Sequence, residues 1–158
     1  MKIFYSILAI AVIFAGCTEK CEEPDISRIN SVYIELKEGG EDGFTDAELD
    51  SIIIVRYIPF SAPLVADTLV TNGDFPEGDN KFLINDEYPF VNATPPYYVV
   101  YGYEIIETSS LFSTRIEGIE LEGVYDGECD YMNVEKTFLV DSNEVDMSGS
   151  TDFYQITR

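Results

Sequence analysis

Two hydrophobic patterns divide this chain. Residues 3–16 form one uninterrupted run of apolar or small side chains, whereas from Ser31 onward apolar and polar residues alternate with turn residues between them. The alternation has the period of a pleated strand with one face buried. Val32, Ile34 and Leu36 share one side of a first strand, and Tyr33 and Glu35 the other. Thr45-Asp46-Ala47-Glu48 has the spacing of a capping box and predicts a single helical turn ending near Asp50. Ser51–Tyr57 is β-branched and apolar, which predicts a central strand buried on both faces. Val65–Val70 and Lys81–Ile84 read as shorter strands, on either side of the turn-forming stretch Thr71–Asn80.

Tyr97–Glu107 is the strongest strand pattern in the chain, with Tyr97, Val99, Tyr101, Tyr103 and Ile105 on one face. Thr114–Tyr125 follows, with Gly118 at the place where the phase shifts, as at a bulge. Asp126-Gly127 is a hairpin signal, since glycine tolerates the positive φ that such turns require. Cys129–Val134, Thr137–Val140, Val145–Met147 and Phe153–Thr157 complete eight or nine short strands, with no long amphipathic helix and no internal repeat. The expected fold is all-β: an antiparallel β-sandwich of the broad immunoglobulin-like type, with an eight-stranded closed β-barrel as the alternative. The irregular stretch 71–96 suits a crossing between sheets better than a meander. The glycine–x–tryptophan signature of lipocalin barrels is absent, and the chain has no tryptophan.

The leading apolar run has a different purpose. Lys2 precedes it, and a short basic end followed by a hydrophobic middle is the layout of a secretory signal. Its length falls short of the roughly 20 residues a membrane span requires. The run closes on Ile13-Phe14-Ala15-Gly16-Cys17, which resembles the lipobox of bacterial lipoproteins, with Phe14 where leucine is commoner. The resemblance implies cleavage before Cys17 and lipid attachment to its thiol, an anchor to the membrane worth about 0.8 kcal/mol per buried CH₂. Residues 1–16 are then a signal peptide, 17–28 a lipidated acidic tether and 29–158 the sandwich domain. Lys20 followed by Glu22 and Glu23 is similar to the signal that sends lipoproteins of Bacteroidota to the outer face of the outer membrane, although Cys21 interrupts it. The acidic tether, the segment GFTDAELDSIIIVRY and the Tyr-rich strand together resemble small Bacteroidota-type lipoproteins, a group that carries no activity over to this chain. The implied location is the outer membrane, surface-exposed, with its periplasmic face as the alternative.

Charge and cysteine content narrow the chemistry. The chain has 30 acidic and 9 basic residues, a net charge of −21, which repels nucleic acid. It has no histidine, which removes Ser-His-Asp and Cys-His catalysis and histidine-ligated metals. With Cys17 committed to lipid, Cys21 and Cys129 are left as a possible disulfide in an oxidising compartment. No cofactor motif is present, and no metal site is assigned. The acidic loops Glu38–Asp50 and Asp74–Asn80 lack EF-hand spacing, and Asp126, Glu128 and Asp130 alternate as on a solvated strand face. Tyr97, Tyr101 and Tyr103 are candidate aromatics for contact with a glycan or protein, near Tyr57 and Tyr88, and the competing reading is that they fill a sandwich face. The expectation is therefore a non-enzymatic, membrane-anchored interaction module with an unidentified protein or glycan partner. A structural subunit of an envelope or surface assembly is the rival.

Overall fold

The computed structural model describes residues 24–59, 64–85, 88–90, 101–127 and 130–158. They form an all-β sandwich with two short helical turns. In chain order the elements are α1 (Ile26–Ile29), β1 (Val32–Leu36), α2 (Asp46–Leu49), β2 (Ile52–Ile58) and β3 (Leu64–Val70). There follow β4 (Lys81–Ile84), β5 (Gly102–Glu107), β6 (Phe112–Asp126), β7 (Asp130–Val140), β8 (Asn143–Asp146) and β9 (Tyr154–Ile156). One sheet has the order β3-β2-β5-β6-β7-β8 and the other β4-β1-β9. Both stay open at their edges, so the barrel alternative does not hold. Among the described residues the larger sheet has six strands and the smaller one three.

The core lies between the sheets. Val32, Ile34 and Leu36 of β1, with Phe82 and Ile84 of β4, meet Ile52, Ile54, Ile105, Ile116 and Phe138 of the larger sheet. Each such side chain contributes about 1.5–3 kcal/mol through removal from water. In β2 Ile52, Ile54, Arg56 and Tyr57 are buried while Ile53 and Val55 are only half-buried. The expected burial on both faces is thus incomplete, because no third layer covers the outer side of the large sheet among the described residues. β1 and β4 are antiparallel, but β1 and β9 run parallel. The chain leaves β8 at one edge of the large sheet and enters the small sheet in the same direction as β1, a crossing that local pattern does not encode.

Several local signals are realised in the fold. Thr45 and Glu48 close the capping box: the Thr45 amide donates to Glu48 Oε2 at 2.9 Å and the Glu48 amide to Thr45 Oγ1 at 3.4 Å. Arg158 reaches the same carboxylate at 2.7 Å and ties the last residue to α2. Gly118 has φ +57° at a register shift between Glu117 and Glu120, and Gly127 has φ +82° in the β6–β7 turn. The two strands expected between Cys129 and Val140 are one strand, β7, since a second register shift opposite Glu122/Gly123 absorbs the change of phase without ending the pairing. Within the stretch expected as tether, residues 26–28 belong to α1, capped by the Asp25 carboxylate on the Arg28 amide at 3.0 Å.

Candidate functional site

The cysteines of interest, Cys17, Cys21 and Cys129, and Tyr97 lie outside the described residues. Tyr101 and Tyr103 are described, and both are buried. The Tyr103 hydroxyl donates to the Asn85 carbonyl at 2.5 Å. The Tyr101 ring lies 4.5 Å from the Arg56 guanidinium, which also faces Phe90 at 5.0 Å and donates from Nε to Asp67 at 3.0 Å. This is an arginine enclosed by two rings and a carboxylate, a way of burying a cation. Neither tyrosine offers a ring face to a ligand here; the reading that they fill the sandwich face describes their positions. Tyr57 lies on the opposite side of the sheet, across Gly102, with its hydroxyl on Glu117 at 2.5 Å. Burial and that carboxylate push its pKa up.

Two other buried charges are structural. Glu107 ends β5, and its carboxylate accepts from Ser51 Oγ at 2.5 Å and from the Ser109 and Ser110 amides at 2.6 Å each. The Ser110 hydroxyl also donates to it. Burial would raise the Glu107 pKa, but these donors outweigh it and hold the carboxyl well below the usual range. The Lys136 ammonium is buried with the Ser150 carbonyl at 3.0 Å and the Tyr33 ring at 4.5 Å, and burial pushes its pKa down. Among the described residues no group of three or more acidic or cysteine side chains is arranged to hold a metal. A shallow depression of about 360 Å³ beside the β5–β6 turn, lined by Ile106, Leu111 and Phe112, is open to solvent and has the engaged Glu107 at its edge.

The feature that sequence reading did not single out is a ribbon. Among the described residues β5 pairs with β6 only up to Ile116, and β8 pairs with β7 only from Thr137. Beyond those limits β6 and β7 continue together to the turn at Gly127 as a two-stranded projection. Its inner face is fastened to the N-terminal end of the domain. The Tyr131 ring crosses Gly123, its hydroxyl accepts from Asn30 Nδ2 at 2.7 Å, and Asn133 Nδ2 donates to Asn30 Oδ1 at 3.1 Å.

The outer face has a different character. Val124 sits opposite Met132, with Val134 two residues further along β7. Val124, Met132 and Val134 are 42%, 44% and 42% exposed. At one end of this apolar group Glu122 faces Glu135, and at the other Asp126 faces Asp130. Facing like charges across a strand pair are destabilising. None of the five ion pairs among the described residues relieves them: Arg28–Glu77, Arg56–Asp67, Lys81–Glu35, Arg115–Glu104 and Arg158–Glu48 all lie elsewhere. Lys136, the basic residue nearest in sequence, points to the inner side and Tyr33. One signal was visible in the sequence, a stretch from Glu120 to Glu135 with six acidic residues and no basic one. The projection itself was not.

The fold and this surface define a class: a β-sandwich domain bearing an acidic, partly apolar strand ribbon. Comparison with protein family models, with curated proteins and with solved structures finds no match to the chain.

Proposed function

We propose that this protein is a non-catalytic interaction module, held at the outer membrane by lipid on Cys17, with the β6–β7 ribbon as its contact surface. The observation that carries the reading is the solvated apolar group Val124, Met132 and Val134 on a ribbon that, among the described residues, extends past its sheet. Apolar side chains gathered on a projecting element mark contact surfaces in soluble domains. The lipobox at Cys17 supplies the anchor. Seven residue steps lead from Cys17 to Pro24, a reach of at most about 25 Å in extended chain. Asn30 touches the ribbon near its tip, so the ribbon lies toward the anchored end. The β5–β6 turn lies about 40 Å away along β6, at roughly 3.3 Å per residue.

The test of the anchor is digestion of intact cells with a proteinase, for the full chain and for Cys17→Ala. Membrane-bound protein that intact cells lose to proteinase, with a soluble Cys17→Ala variant, is the expected result. Protection until lysis moves the domain to the periplasmic face, and a soluble wild-type chain overturns the anchor.

A second reading, a subunit that assembles by strand donation, rests on β3. Among the described residues it is the terminal strand of the large sheet, seven residues long, with Val65 and Val70 exposed and neither lysine nor proline in it. Such an edge is open to strand addition. Sedimentation of the mature chain over a range of concentrations decides: discrete higher oligomers support assembly, and a monomer throughout removes it.

A further inference from the structure

The pattern of the ribbon's outer face specifies the chemistry of what covers it. We infer that its partner is a basic protein surface with two lysine- or arginine-bearing clusters about 13 Å apart and apolar side chains between them. The spacing follows from the four residue steps from Glu122 to Asp126 at about 3.3 Å each. This inference rests on the ribbon being the contact surface and goes on to name its partner class.

The argument is one of complementarity. Glu122 with Glu135, and Asp126 with Asp130, bracket Val124, Met132 and Val134. A partner must remove the apolar group from water and set positive charge against both carboxylate pairs. A second copy of this chain fails on the second requirement, since it brings the same carboxylates and a net charge of −21. Nucleic acid and an anionic lipid surface fail for the same reason. A divalent cation could neutralise one carboxylate pair but would leave the apolar centre wet. A cationic protein surface meets both requirements. Electrostatic attraction would steer its approach and fix its register, while the apolar centre adds area removed from water.

The test uses the full chain in cells, with a photocrosslinking amino acid placed at Val124 or at Met132. Asp46, exposed on α2, serves as the control position. Each is repeated in a variant carrying Glu122→Gln, Glu135→Gln, Asp126→Asn and Asp130→Asn. That variant keeps the apolar group and removes the like-charge pairs, so its thermal stability is expected to equal or exceed that of the wild type. The expected result is adducts from both ribbon positions and not from Asp46. They should map to a partner segment containing lysine or arginine, with yield falling about tenfold on neutralisation. An adduct by itself is not support; it must show that charge dependence. Adducts that persist unchanged in the neutralised variant, that map to an acidic segment, or that join two copies of this chain overturn the inference while leaving the ribbon as a contact surface. A ribbon whose melting temperature responds to calcium and that gives no protein adduct is an ion site and overturns it as well. Absence of adducts at both ribbon positions, with folded protein, sinks the contact-surface reading itself.

Discussion

Replacing Glu107 with glutamine tests whether a buried carboxylate organises the end of the sandwich. Its two oxygens divide four donors: Oε1 takes the Ser51 hydroxyl and the Ser109 amide, and Oε2 takes the hydroxyl and amide of Ser110. Glutamine turns one oxygen into an NH₂ donor. The serine hydroxyls can rotate, but a backbone amide cannot, so either Ser109 or Ser110 loses its acceptor. Ser109 and Ser110 are exposed, so water can reach the amide that loses its acceptor, and the loss is about 1 kcal/mol rather than the full cost of a buried donor; the remaining bonds also lose their charge assistance. Glu107→Gln is therefore expected to lower stability by about 2 kcal/mol at pH 7, read from urea unfolding at constant m-value. The pH dependence follows from the lowered pKa. Burial alone would raise it, and the hydrogen bonds more than reverse that. A carboxyl depressed in the folded state contributes stability that is fully present above its unfolded pKa, near 4.3, and is lost as pH falls through the folded value. The gap between wild type and variant should hold from pH 8 to 5 and narrow below about pH 4. A gap below about 0.5 kcal/mol at pH 7, or one unchanged at pH 3, would refute the reasoning.

Three further substitutions probe the other supports. Gly123→Ala places a Cβ 2.4 Å from the Tyr131 hydroxyl, so the ring must move and release Asn30; a loss of about 2 kcal/mol is expected, with faster amide exchange over α1. An unchanged exchange rate there would show that Asn30 does not hold α1 to the ribbon. Lys136→Met removes a buried ammonium that has no carboxylate partner among the described residues, and is expected to leave stability unchanged or raise it by up to about 2 kcal/mol at pH 7. Because burial lowers the lysine pKa in the folded state, wild-type stability rises with pH between that value and the unfolded 10.4, so the gain should shrink by pH 10; a loss above about 1 kcal/mol at pH 7 would mean that the contacts with Ser150 and Tyr33 outweigh burial. Thr45→Ala opens the capping box and is expected to cost about 1 kcal/mol in thermal or urea unfolding, and no measurable change would place the support of α2 on Arg158 instead.

What the sequence determined by itself was local. Alternation in Val32–Leu36 and in Tyr103–Ile105, the Thr45/Glu48 spacing, and the glycines at 118 and 127 each act through the nearest few residues, so each could be read without a partner. What only the tertiary structure decided depends on residues far apart in the chain. Glu107 meets Ser51 from across 56 positions, and the Lys136 ammonium lies over the Tyr33 ring although β7 and β1 belong to different sheets. Tyr101 and Tyr103 read more readily as core than as binding rings, and it is the packing of distant residues that buries both. The acidic stretch from Glu120 to Glu135 resembled any solvated strand pair. Its meaning changed when β5 and β8 proved to pair with only the lower part of β6 and β7 among the described residues. Charge and hydropathy are properties of single residues; which carboxylates stand opposite each other, and which apolar side chains are left in water, are properties of register and sheet extent.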